Sequence, residues 1–316
     1  MRFLKSLLAV IACALSPATH ASGYPARPIQ VVVPYGPGGA VDVLGRIIGE
    51  HMAQTLGQPI VILNRPGGNA NIGPGIVAEA QPDGYTLLAS SAALIVNPFL
   101  DTNIKWNVSD FVPVARYVQA PNVLVVPASS KFATLADFVA HARANPGLTT
   151  NVSGAGNSQA IAREYFAHAA GIKFTNVAYK GGTSYIPDLI SGTLSLSVAP
   201  LNVALTLVRE QKLNALAITS KRRSSMLPDL PTIAEAGYPD ATSVSWYGLH
   251  ARAGTPPEVI QQLSKAVRAA LEDPQVQARI AAAGAEIAYL DTPAFGEFLA
   301  GETSKAERFA RMIKGQ

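Results

Sequence analysis

The chain has 316 residues, 48% hydrophobic and 15% charged, with 25 Lys and Arg against 21 Asp and Glu. That balance excludes a disordered chain, and its mild, scattered positive charge argues against a nucleic-acid binder. A length of this order predicts two lobes, since roughly 100 to 200 residues make a domain.

Residues 1–21 carry Arg2 and Lys5, then the apolar run LLAVIACAL, then small residues ending in Ala21. This pattern predicts a signal peptide cleaved after Ala21 and an exported, soluble mature protein, because the run is shorter than the ~18 residues of a membrane span. The competing reading is a lipid-attachment box, VIAC, ending at Cys13. Cys13 is the only cysteine, so the mature chain is expected to hold no disulfide and no thiolate metal site.

The spacing predicts a strand over 29–33, a helix over 41–56 ended by Gly57, a strand over 59–63, a short helix over 76–80 and a strand over 85–89. Extended segments over 111–117 and 123–126 then lead toward a second lobe. There the pattern restarts with a helix over 135–144, a strand over 149–153 and a helix over 158–170. A strand over 194–198, a helix over 203–211 and a strand over 213–219 follow, and 243–251 reads as the return crossing. The run Thr255-Pro256-Pro257-Glu258 predicts a capped helix start, and Ala-rich helices run on to the end. Alternating strands and helices argue for parallel α/β sheets, because parallel strands need crossover connections.

Both lobes contain one construction, an apolar strand opening through glycines into a helix: VVVPYGPGGAVD in the first and TNVSGAGNSQA in the second. Ligands of open α/β sheets sit beyond the carboxyl ends of the strands, where Gly-rich turns and helix N-termini offer unpaired N–H donors to anions. A helix N-terminus gives about 0.3 to 1 kcal/mol to an exposed anion, whereas micromolar binding needs about 8 kcal/mol. About four charge-assisted hydrogen bonds from facing loops would close that gap. Asp42 is expected to cap its helix and orient the loop, and Asp42→Ala to cost about 1 kcal/mol.

Enzymatic motifs are missing. Val41 stands where a dinucleotide fingerprint needs its third glycine, and no GKS or GKT phosphate loop occurs. Asn151 stands where a nucleophile elbow around Ser153 needs glycine. His51, His141, His168 and His250 are each isolated, without metal-ligand spacing. No catalytic residue, metal site or cofactor is therefore expected; the alternative is an exported hydrolase of α/β fold.

The landmarks YPARPIQVVVPYGPGGAVDVLGR, LGQPIVILNRPGGNANIG, QPDGYTLL, Asn97-Pro98, PNVLVV, NVSGAGNS, VAYKGG, LNALAITSKRRSSMLPDLPTIAEAGYP and WYGLHARAGTPPEV occur in this order. In them the chain resembles the Bug family, periplasmic substrate-binding receptors of tripartite tricarboxylate transporters. The resemblance implies a two-lobed, type II-like Venus flytrap of α/β class, each lobe a mixed sheet flanked by helices. Lobe I would comprise 22–122 and 244–316, and lobe II 123–243.

The resemblance also implies a monomeric periplasmic receptor that clasps a small organic carboxylate without catalysis. Its partners would be the membrane components of a transporter or a sensor kinase. Matched position by position, it implies contacts from Tyr35, Gly38, Gly39, Ala40, Val41 and Asp42, and from Ser153, Gly154, Gly156, Asn157 and Ser158. Ser90, Ser91 and Ala92 should line the same cleft, with Lys180 and Gly181 on the second lobe's wall. Where relatives often carry Phe-Asp-Asn, this chain has Val198-Ala199-Pro200, and where many have histidine it has Ala160. Ala199 and its neighbours thus replace an acidic wall by an apolar one, which disfavours a ligand ammonium.

Overall fold

A computed structural model describes residues 23–315. The signal peptide read over 1–21 and Cys13 lie outside them. Lobe I opens with β1 (Ile29–Val33), α1 (Ala40–Leu56), β2 (Ile60–Asn64), α2 (Ile72–Ala78), β3 (Thr86–Ser90) and α3 (Ala93–Leu100). β1 lies between β2 and β3, parallel to both, as crossover helices require. Alternation along β1 sends Ile29, Val31 and Val33 to a core shared with Leu44 and Ile47 of α1. Val32 instead faces Val77, Leu88 and Trp106 on the other side of the sheet. Gly57, in the left-handed region at φ 67°, ends α1.

β4 (Phe111–Pro127) is the structural link between the lobes. The two extended segments read from the sequence are one continuous strand, buried nearly throughout. Lobe II follows with α4 (Leu135–Ala144), β5 (Leu148–Val152), α5 (Ser158–Ala170), β6 (Phe174–Ala178), α6 (Ile186–Ile190), β7 (Ser197–Pro200), α7 (Leu201–Arg209) and β8 (Leu213–Ile218). The chain returns through β9 (Val244–Arg252), then α8 (Pro257–Glu272), α9 (Pro274–Ala282), β10 (Glu286–Leu290) and α10 (Thr292–Lys314).

The sheet of lobe I runs β10-β4-β9-β3-β1-β2, with β9 antiparallel to both β3 and β4. From Asn122 onward β4 pairs instead with β7 and β8 of lobe II. Period-two alternation puts Leu124 and Val126 against Phe138 and Phe166, and Val123 and Val125 against Leu189 and Leu205. Asn122 stands where the partners change. Its N–H donates to Thr219 Oγ1 at 3.0 Å and its side-chain amide to Ser245 Oγ at 3.1 Å, while its Oδ1 accepts from Gln159 Nε2 at 2.9 Å.

One expected cap is replaced: Thr255 Oγ1 donates to Arg252 O at 2.7 Å, and α8 starts at Pro257 without a side-chain cap.

His250 on β9 is sealed in lobe I, 2% exposed, with Ser90 Oγ 2.8 Å from its Nδ1 and the Phe295 ring beside it. Burial disfavours the imidazolium and pushes the pKa down to about 3. A depressed pKa contributes stability in full above the unfolded value near 6.5, and that contribution is lost as pH falls through the window toward 3. Urea titrations should show about 2 kcal/mol of stability lost between pH 7 and pH 5 from this residue. His250→Gln should flatten that slope, and an unchanged slope in the variant would refute the assignment.

Candidate functional site

The first Gly-rich loop is held from behind by Asp42, which is 3% exposed. Its carboxylate accepts from Gly38 N at 2.9 Å, Arg46 Nε at 3.0 Å and Asn64 Nδ2 at 2.9 Å. Asn64 Nδ2 also donates to Tyr35 O at 3.0 Å, so one carboxylate ties loop, helix and the end of β2 together. Asp42 is not a helix cap; that position belongs to Gly39, which makes no side-chain cap bond. Burial pushes the Asp42 carboxyl up, but the donors from Arg46, Gly38 and Asn64 together outweigh it and leave the pKa below the usual carboxylate value.

Asp42→Ala therefore leaves three donors without their acceptor and should cost about 2 kcal/mol, more than a lost cap, by chemical denaturation. The depressed pKa places this contribution above the unfolded carboxylate pKa near 3.9, and it should vanish as pH falls below that value.

The second loop is built on the same plan. Asn157 caps α5, its Oδ1 accepting from Ala160 N at 2.8 Å, so the N–H groups of Ser158 and Gln159 have no acceptor within the helix. At the start of α1 the N–H groups of Ala40 and Val41 stand likewise. Both termini border one hollow of about 60 Å³ between the lobes.

The lobes touch around this hollow, and glycines permit it. A methyl built on Gly36 would lie 3.1 Å from Gly181 O, one on Gly39 3.3 Å from Gly182 Cα, and one on Gly154 3.0 Å from Asn69 O. Gly156 abuts Asn97, whose side-chain amide donates to Asn69 O at 2.9 Å and Asn71 Oδ1 at 2.7 Å. The Asn97-Pro98 landmark thus belongs to the face of lobe I that meets lobe II.

Of the residues expected at the site, Tyr35, Gly39, Ala40, Val41, Ser91, Ser153, Asn157, Ser158 and Gly181 border the hollow. The others stand elsewhere. Gly38 packs on Thr183, Gly154 on Asn69 and Gly156 on Asn97, at contacts between the lobes, and Asp42 faces away. Ser90 is engaged with His250, and Lys180 is exposed. Ala92 borders a different cavity. Ala199 is turned into the core of lobe II beside Val123, while its neighbours Val198 and Pro200 reach the hollow. Trp246 packs against Phe295 and Phe298, and Tyr247 borders the hollow.

Four further residues complete the wall. Arg163 is 3% exposed and is the only charged side chain lining the hollow among the described residues. Its Nη1 donates to Asn151 O at 3.0 Å and its Nη2 to Glu164 Oε1 at 2.6 Å. Tyr185 OH, Tyr247 OH and Asn151 Oδ1 are buried and make no hydrogen bond of ordinary length, although Ser197 stands near the first and Ser245 and Gln159 near the second. Buried polar groups without such a bond are rare, so three around one hollow mark a place for a polar guest. Tyr35 adds a hydroxyl 3.2 Å from Ser91 Oγ. Burial raises the phenols of Tyr35 and Tyr247 to about 12, so both remain neutral donors.

Residues 44–314 match the family described as Tripartite tricarboxylate transporter family receptor. Protein BugT of Bordetella pertussis is 37% identical over 288 residues, which cover 88% of each chain. The chain belongs to the tripartite tricarboxylate transporter receptor family. This receptor also superimposes on periplasmic binding protein BugD with a TM-score of 0.87 at 29% identity, covering 92% of this chain and 98% of that one. The R. palustris protein Rpa4515, solved with adipate, gives a TM-score of 0.88 at 31% identity, covering 92% and 98%. MatC of Rhodopseudomonas palustris, solved with bound malate, gives 0.84 at 28% identity, covering 91% and 100%. The two-lobed periplasmic binding fold of this receptor is that of its relatives.

Proposed function

We propose that the receptor binds a small organic carboxylate in the interlobe hollow and performs no chemistry on it. The observation that carries this reading is the wall itself: two helix N-termini from opposite lobes, the buried cation of Arg163 and the hydroxyls of Tyr185 and Tyr247 converge on one space. All of these favour negative charge. No Asp or Glu lines the hollow among the described residues, so nothing there would hold an ammonium group, which disfavours amino acids. The carboxylates bound to Rpa4515 and MatC support the class.

The exported hydrolase reading gains nothing from the structure. The Ser–His pair that does converge, Ser90 and His250, is sealed within lobe I and does not border the hollow.

In this reading the mature protein starts after Ala21 and works in the periplasm as a monomer. Residues 22–122 and 244–316 form lobe I, and 123–243 form lobe II, with the change of β4 partners at Asn122 supporting that division. The receptor passes its ligand to the membrane components of a transporter or presents it to a sensor kinase. Isothermal titration against succinate, malate, adipate, benzoate and glutamate tests the ligand class. Binding of at least one of the first four, with glutamate weaker, is expected; silence across all four, or a preference for glutamate, would overturn the reading.

A further inference from the structure

A second cavity, of about 840 Å³, opens where α10 and α3 of lobe I face the start of α5 and two loops of lobe II. It meets the hollow only at Ser158. Five cations line it: Arg116, Lys305 and Arg308 from lobe I, and Lys221 and Arg222 from lobe II. Three carboxylates share the walls, and two are already engaged. Glu302 accepts from Trp246 Nε1 at 3.1 Å and from Lys305 Nζ at 2.6 Å, and Glu286 accepts from Gln119 Nε2 at 3.2 Å.

Among the described residues, Arg116, Lys221, Arg222 and Arg308 form no salt bridge. Arg116 is the most telling of them. It is half-buried on the floor, its Nε donates to Ala288 O at 2.8 Å and its guanidinium lies 4.5 Å from the Phe298 ring centroid, while its Nη atoms find no protein acceptor. Glu302 on the same wall acts on this charge without contacting it, and a guanidinium with no direct salt bridge in a partly desolvated place is stabilised by an arriving anion. Apolar side chains, Ile95, Ile161 and Phe309, share the walls with the cations.

The chemistry of the occupant follows from these walls. One small anion cannot answer cations spread over both lobes of a cavity this large, and a flat membrane surface does not enter a concave groove. Acidic residues interleaved with apolar ones match both features. Because both lobes supply cations, and the Tyr165 ring of lobe II rests 5.5 Å from that of Phe309 in lobe I, the groove has this form only while the lobes are together. We propose that the groove docks an acidic, apolar-interleaved segment of a partner protein, and that it does so in the form with the lobes together. By linkage, the partner and the lobe-closing ligand would strengthen each other's binding by the same factor.

Fluorescence anisotropy with the labelled hexapeptide ELEELE and its neutral counterpart QLQQLQ tests this on the full mature protein. ELEELE should bind in a salt-sensitive way and QLQQLQ should not. The combined variant K221Q/R222Q/R308Q, whose three side chains are exposed and form no salt bridge, should keep its melting temperature and carboxylate titration but bind ELEELE about tenfold more weakly, the sum expected of three exposed charge pairs. Gly182→Ala, which sets a methyl against the Gly36 carbonyl of the other lobe, should weaken ELEELE as well. Undiminished binding to the triple variant, or no binding to the wild type, would overturn the docking site. Displacement of ELEELE by equimolar inorganic phosphate would replace it with a small-anion site, and unchanged affinity in Gly182→Ala would refute its dependence on the lobes.

Discussion

Gly182→Ala is expected to lower carboxylate affinity about a hundredfold or more while leaving a folded protein. Gly182 sits at φ +64° in the turn after β6, in the left-handed region, where an alanine costs about 1 kcal/mol in either form of the molecule. The larger effect is steric and belongs to the shut form alone. A Cβ at this position would stand 2.8 Å from both the carbonyl carbon and oxygen of Gly36, main-chain atoms that no rotamer change can move. The turn must then back away from the first Gly-rich loop, so donors of the two lobes no longer reach one guest together. Losing two charge-assisted hydrogen bonds at about 1.5 to 3 kcal/mol each amounts to a factor of a hundred or more. Isothermal titration with whichever carboxylate binds the wild type measures the loss, and small-angle scattering should show the variant staying extended when ligand is added. Wild-type affinity together with compaction on binding would show that the glycine contact is incidental.

The architecture was legible because its signals are local. The helices over 135–144 and 158–170 coincide with α4 and α5 and the strand over 29–33 with β1, while those over 59–63, 85–89 and 243–251 shift by a single residue. Four elements were not read, α3, α6, β6 and β10; the two strands lie where FTNVA and EIAYL are mostly exposed or half-exposed and carry no clean alternation. β4 was read as two segments, 111–117 and 123–126, and Pro121 and Asn122 between them mark the change of sheet partners.

At the site, the loops were legible as glycine followed by a helix start, but the wall was not. Choosing Ala199 mistook the parity of β7: a one-residue shift reverses the face, and Val198 and Pro200 take the position expected of it. Tyr185 is brought in from a distant element, and no local pattern signals that.

Arg163 escaped for a different reason, and its substitution is the second large expectation. In SQAIAREYFAHAA it reads as one charge on a solvated helix face, next to a glutamate. Helical side chains lean toward the N-terminus, so a long residue five positions after Ser158 reaches back to the loop that opens the helix. Its three observed donations go to Asn151 O and Glu164 Oε1, and a guanidinium has five N–H groups, which leaves two for a guest in the hollow.

Arg163→Gln should therefore weaken the carboxylate by about 10- to 100-fold, the worth of one charge-assisted hydrogen bond. The charge is shared with Glu164, whose side chain is 33% exposed. Glu164→Gln should thus leave binding intact or tighten it, by freeing the guanidinium for the ligand. Titration calorimetry on both variants separates the roles. If Arg163→Gln binds as the wild type does while its melting temperature falls, the arginine only braces Asn151, and the anion is held by the helix termini and hydroxyls alone.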